Sequence, residues 1–235
     1  MFRALPKGWA WAPEALLAHA REQAWRVLED EDVAEQRIAE YYRRESNYAG
    51  STFSDLHPND PFSIGGSDLL AVHMLSVDIP QIAVRRLTEP SPTSAHLERL
   101  LRKETLGVER NLQTAGVETL EVMSEFYEGV RTALAPVGAK TSSAKVTASK
   151  ICARKRPDLF PIRDKRVLTL LGTWDVRDYG IDWQVFRYLV EDDALMAKLR
   201  EVVDRAAKVE GVSIGDPNGM LRHLDVALWT YSPVR

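Results

Sequence analysis

The 235 residues, 45% hydrophobic and 28% charged, have the composition of a globular protein with ample length for a hydrophobic core, which argues against disorder along most of the chain. The single cysteine, Cys152, excludes a disulfide within the chain and a cysteine-rich zinc site, and no apolar run approaches the roughly 18 residues that span a bilayer. The N-terminal stretch has no signal-peptide core, so the expectation is a cytoplasmic protein without membrane contact. The net charge of −3 conceals an asymmetry: nine basic residues between Lys140 and Arg166 face only Asp158 and Asp164, a local +7 that leaves −10 on the rest. Such a segment suits a local polyanion site, and a solvated helix face accounts for it equally well on charge alone.

Helical periodicity dominates in chain order. Pro13 suits a first turn, and Ala15, Leu16, Leu17, Ala20, Ala24, Val27 and Leu28 follow at helix spacing. A second helix is predicted over about 32–44. The stretch 46–66 is rich in turn formers and is predicted as a loop holding Tyr48, Phe53 and Phe62, in which Asp55 and Asp60 are either turn residues or hydrogen-bond acceptors. Ser67 is the expected cap of the next helix, Pro80 opens another, and Ser94 is expected to cap a third. Val117 to Leu134 carries one apolar stripe and ends at Pro136 and Gly138. Helices over 181–190, 195–209 and 220–231 complete the chain. No strand alternation or internal repeat is present. The fold class is therefore all-α: an irregular helical domain over 1–235, with 1–135 and 136–235 as candidate lobes around a cleft.

Several chemistries lack their motif. There is no phosphate loop or dinucleotide fingerprint and no nucleophile elbow, and no two of the five histidines stand at metal-ligating helical spacing, so no metal and no cofactor is expected. Histidines 73 and 223 in apolar helices suit hydrogen-bonded core positions, and Cys152 a small core residue.

The informative stretch runs from Lys145 to Gly172. It reads as a helix, an elbow fixed by Pro157 and Pro161, and a second helix that Asp164 opens and Gly172 closes. With its Thr147-Ala148 helix, the elbow Arg156-Pro157-Asp158-Leu159-Phe160-Pro161 and Asp164 beyond it, the stretch resembles the helix-hairpin-helix DNA glycosylases, closest to their alkylated-base branch. Segments 148–150, 155–157 and 221–229 also resemble an uncharacterised actinobacterial family, which implies no activity. The hairpin's usual Gly-x-Gly is replaced here by Ser142-Ser143-Ala144, whose side chains restrict close approach to a phosphate.

The resemblance implies a helix-hairpin-helix glycosylase fold and hydrolysis of the N-glycosidic bond of a damaged or modified base, leaving an abasic site, in repair or in defence against phages with modified genomes. The partner it implies is double-stranded DNA. Asp164 is the implied catalytic carboxylate, its plain alternative being a helix cap. The position of the strand-cleaving lysine of bifunctional members falls on Val146, which implies a monofunctional enzyme. Lys140, Ser142, Ser143, Lys145, Thr147, Lys150, Lys155, Arg163 and Lys165 are the implied DNA contacts. An extruded base needs a stacking surface. Tyr42, Tyr48 and Phe53 are the expected pocket residues, from a group that includes Tyr41 and Phe62, with Trp9 and Trp11 suited to either core or wedge. Two other functions suit an all-α chain: a non-catalytic DNA-binding protein, and a protein-interaction module whose basic segment faces an acidic partner.

Overall fold

The structure is a computed structural model, and residues 2–141 and 143–231 are described. Ser142, one of the expected DNA contacts, lies outside the described residues. The described residues form twelve α-helices and one short 3-10 turn, with a single isolated bridge between Arg43 and Val212 in place of a sheet. The fold is all-α, as the periodicity predicts. No helix is long and apolar enough to cross a membrane among the described residues.

The chain divides into two compact units. The first joins 1–51 to 163–235, and the second is the continuous stretch 52–162. The division does not fall at 135/136. The first unit packs α1 (Glu14–Val27) and α2 (Glu31–Tyr42) against helices of the C-terminal part, α10 (Tyr179–Val190), α11 (Asp193–Ala206) and α12 (Met220–Tyr231), while α9 (Lys165–Leu170) packs on α12. Its core includes Ala20, Ala24, Ile38, Trp183, Leu199 and Leu224. The chain segment before α1 is fixed by polar anchors: Ala12 N–H donates to Gln184 Oε1 at 3.0 Å, Gln184 Nε2 donates to the Ala10 carbonyl, and Trp9 packs edge-on to Tyr179.

The second unit holds α4 (Gly66–His73), α5 (Gln81–Thr88), α6 (Pro92–Leu101), the 3-10 turn Glu104–Leu106, α7 (Val117–Ala133) and α8 (Lys145–Lys155). Residues 136–162 stay with it because α8 packs on both α4 and α7. The short α3 (Gly50–Asp55) runs across the division and occupies part of the stretch expected to be a loop.

Caps follow local chemistry with small displacements. The N-cap of α6 is Ser91 rather than Ser94: Ser91 Oγ accepts from Ser94 N–H and Ser94 Oγ accepts from Ser91 N–H, both at 3.0 Å, with Pro92 in the first turn. At α4 the cap is Gly65, whose N–H donates to Asp68 Oδ2 at 2.9 Å, while the Ser67 hydroxyl donates instead to the Pro58 carbonyl. Asp164 caps α9, and Gly172 ends its following turn at φ +76°, a conformation natural to glycine. The elbow is a hydrogen-bonded turn, in which Leu159 and Phe160 N–H both donate to the Arg156 carbonyl at 3.1 Å.

Candidate nucleic-acid site

In the second unit the basic run on α8 goes inward. Lys150, Arg154, Lys155 and Arg156 are all buried, and Asp68 is the one buried carboxylate among the described residues of that unit. Arg154 Nε and Lys155 Nζ lie 3.2 and 2.8 Å from the two Asp68 oxygens. The remaining donors are met by oxygen dipoles. Arg154 binds the carbonyls of Phe53, Ser54 and Leu56, Lys155 reaches Asn59 Oδ1, and Lys150 donates to the Leu75 carbonyl at 2.7 Å. Arg156 collects the carbonyls of Leu101, Leu106, Pro61 and its neighbour Lys155. Burial lowers the Lys155 ammonium from its ordinary value, against the pull of Asp68, and lowers Arg156 to about 10. Backbone carbonyls thus solvate charges that the sequence offers as phosphate ligands.

The expected contacts of this unit therefore separate. Lys150 and Lys155 are held inside, and Thr147 is buried at 6% exposure, so none of the three presents a free side chain. Lys140 and Ser143 are exposed on the connection between α7 and α8, and Lys145 is half-buried. Gly138 makes a left-handed turn at φ +84° in open space, with Ala139 N–H donating to the Pro136 carbonyl, upstream of the position where the resemblance expects paired glycines. Phe53, expected in a base pocket, is core at 3% exposure; Asp60 folds its carboxylate into a turn with Phe62 N–H and the Ser63 hydroxyl, bonds that hold its pKa below the usual range.

The first unit is arranged differently. Arg163 is buried and paired with Asp182, Nε to Oδ2 at 2.6 Å, so it is a strut and not a phosphate ligand. Burial raises the Asp182 carboxyl, and Arg163 and Thr173 oppose that rise. The strut fixes the backbone one residue before Asp164. Asp164 is half-buried, and its Oδ1 accepts Arg166 N–H at 2.9 Å. Its Oδ2 takes no hydrogen bond from the described residues. The plain reading of Asp164 as a cap holds, therefore, and uses only half of the carboxylate.

Beside it stands an aromatic cluster. The Tyr41 and Tyr48 rings stack, with centroids 5.7 Å apart and planes at 28°, and Trp229 meets both edge-on. Tyr41 is buried, Trp229 half-buried, and Tyr48 is 42% exposed. The Arg166 guanidinium lies 4.8 Å from the Trp229 ring centre. Underneath, Arg222 Nη2 donates to the Tyr41 hydroxyl at 2.8 Å and Nη1 to Asp225 at 2.7 Å. Burial raises the Tyr41 phenol above its ordinary value; Asp164 is near enough to add to that rise, while Arg222 opposes it. Tyr42, the other expected pocket residue of this unit, has no exposed surface; its hydroxyl lies 3.1 Å from His223 Nδ1, so it is a core residue. Lys165 is exposed, 6.0 Å from the Trp174 ring centre.

Of the residues singled out in sequence, Asp164 and Tyr48 thus share a unit and keep open surface. Arg166, Trp229 and Arg222 complete the arrangement. Arg166 stands out in sequence only as one more charge of the basic run, and Trp229 only as one apolar residue of the last helix. The signal that finds them is the meeting of α2, α9 and α12, which no local pattern contains.

Residues 34–232 match a family of unknown function (DUF6308), and the chain belongs to that family. No curated protein and no solved structure matches it.

Proposed function

We propose that this member of the family is a cytoplasmic, monofunctional DNA glycosylase that hydrolyses the N-glycosidic bond of a damaged or modified base in double-stranded DNA, in repair or in defence against phages with modified genomes. The observation that supports this reading is Asp164: a half-buried carboxylate, fixed by its capping bond and by the neighbouring Arg163–Asp182 pair, with one oxygen unused beside the Tyr41–Tyr48–Trp229 cluster.

Breaking the bond between C1′ and the base nitrogen leaves positive charge on the sugar, and the base departs with the electron pair and takes up a proton. A fixed anion stabilises the charge and orients the water that adds to C1′. Tyr48 supplies a face on which an extruded base stacks. Lys140 and Ser143, exposed on the altered hairpin, and the half-buried Lys145 are the remaining candidates for phosphate contact in the second unit.

The test is to incubate the protein with duplexes bearing alkylated, oxidised, deaminated or glucosylated bases and to assay free base and abasic sites. Release that Asp164→Asn abolishes is the expected result. No release from any substrate, or release unchanged in Asp164→Asn, overturns the reading. Salt-sensitive binding without release assigns the chain to non-catalytic DNA binding. A protein-interaction module has its own support in the exposed Leu70 of α4 and the exposed Met74 that caps its end, and it predicts no DNA binding even at low salt.

A further inference from the structure

We infer that the first unit carries a nucleotide site in which a base stacks on Tyr48 and the attached phosphate is held by Arg166. The inference deepens the reading above and rests on it only in taking the stacked ring to be a nucleobase.

Three observations carry it. First, Tyr48 packs one face on Tyr41 and keeps 42% of its surface exposed, so the ring is held rigid from behind while remaining accessible. Holding a flat ring in advance removes the ordering cost of stacking another ring on it. Second, Arg166 and Tyr48 both border Trp229, the guanidinium over its face and the tyrosine against its edge. That shared neighbour puts a cationic head, 4.8 Å from the Trp229 ring centre, and an open aromatic ring, 5.7 Å from it, around one indole. Third, the side chain of Arg166 forms no ion pair or hydrogen bond among the described residues, in contrast to Arg163, whose charge is taken up by Asp182, and Arg222, whose charge is taken up by Asp225. A guanidinium lying over an indole still has its N–H edge to offer, and that edge matches the oxygens of a phosphate. Asp164, at the other side of Arg166 N–H, repels a second anion and so directs the phosphate toward the guanidinium rather than the cap.

The phosphate belongs either to a strand or to a free nucleotide, and titration calorimetry with three probes separates these: deoxyadenosine, deoxyadenosine 5′-monophosphate and the single-stranded deoxyadenosine hexamer. The monophosphate or the hexamer is expected to bind about tenfold more tightly than the nucleoside, the scale of a charge-assisted hydrogen bond. The hexamer binding best per site identifies a strand phosphate, and the monophosphate binding best a free nucleotide. Arg166→Gln removes the preference and leaves nucleoside binding in place. Tyr48→Ala weakens all three ligands by about tenfold and Tyr48→Phe restores them, as stacking on an exposed ring requires. Equal affinity for nucleoside and nucleotides, a preference that survives Arg166→Gln, or no binding of any probe overturns the inference. Base release from duplexes without any such preference removes the nucleotide site and leaves the glycosylase reading standing. The preference without base release does the reverse.

Discussion

Two stretches of one basic segment, the end of α8 and the start of α9, have opposite fates. At the end of α8, Arg154, Lys155 and Arg156 are buried, with Asp68 and a set of loop carbonyls around them. At the start of α9 only Arg163 is buried, while Asp164, Lys165 and Arg166 keep exposed surface. Cations of the first kind hold the 53–61 backbone in place; Lys165 and Arg166, of the second kind, keep surface open to solvent. The difference comes from what packs opposite. An ammonium or guanidinium stays charged inside a protein when an anion and enough oxygen dipoles surround it; α4 supplies the anion to α8 through Asp68, and the stretch ahead of α4 supplies most of the dipoles.

The contrast can be broken most forcefully at Asp68. Asp68→Ala leaves Arg154 and Lys155 buried without their shared anion, and the expected loss is about 3–5 kcal/mol, read from urea unfolding. A loss below about 1 kcal/mol would mean that the carbonyls alone carry these charges.

The first unit has a buried group of its own whose effect depends on pH. The Asp216 carbonyl can only accept, so His223 Nε2 carries the hydrogen and Nδ1 accepts from the Tyr42 hydroxyl. Burial, aided by Arg222, lowers the His223 pKa from 6.5 to about 4. The unfolded chain therefore takes up this proton first. The stability is complete above pH 6.5 and is lost as pH falls toward 4, by about 3 kcal/mol in total. Unfolding free energies measured across that range should flatten in His223→Gln. Asp192, whose capping bond and Arg21 hold its carboxyl below the ordinary 3.8, adds its own loss at lower pH, outside this window.

Gly50 tests how closely the aromatic cluster is packed. A β-carbon there would overlap the Tyr41 ring at Cε1 and sit 2.6 Å from the Tyr41 carbonyl, so Gly50→Ala must displace the ring on which Tyr48 rests. The expected cost is about 1–3 kcal/mol, with a matching change in the near-ultraviolet circular dichroism of the cluster. The smallest effect belongs to Lys165. Its side chain is exposed and lies 6.0 Å from the Trp174 ring centre, so Lys165→Ala should change stability by less than about 0.5 kcal/mol. A large loss there would place the start of α9 in the same class as the end of α8.

Much of the helical layout is legible in the chain. The stripe from Leu120 to Val130 gives α7, the apolar run from Leu221 gives α12, and the prolines at 13 and 80 mark the starts of α1 and α5. Local errors have local causes: Ser91 out-competes Ser94 as a cap because Pro92 pre-sets the first turn behind it, and 50–55 turns helical in a stretch dense with turn residues. Asp164 at the head of α9 and an exposed Tyr48 are the parts of the candidate site that sequence supplies. That Tyr42, Phe53, Thr147, Lys150, Lys155 and Arg163 are buried it does not show, since composition gives a side chain its charge or its ring but not its neighbours.

By itself the sequence determines which segments are helices, that Asp164 opens one of them, and that positive charge gathers between 140 and 166, because periodicity, capping and composition are properties of neighbouring residues. Only the tertiary structure decides which of those charges turn inward and which side chains meet Asp164. Tyr48, Arg166 and Trp229 stand on separate segments, and their meeting depends on how α12 packs against both α2 and α9, an interaction across more than a hundred residues that no short window of sequence contains.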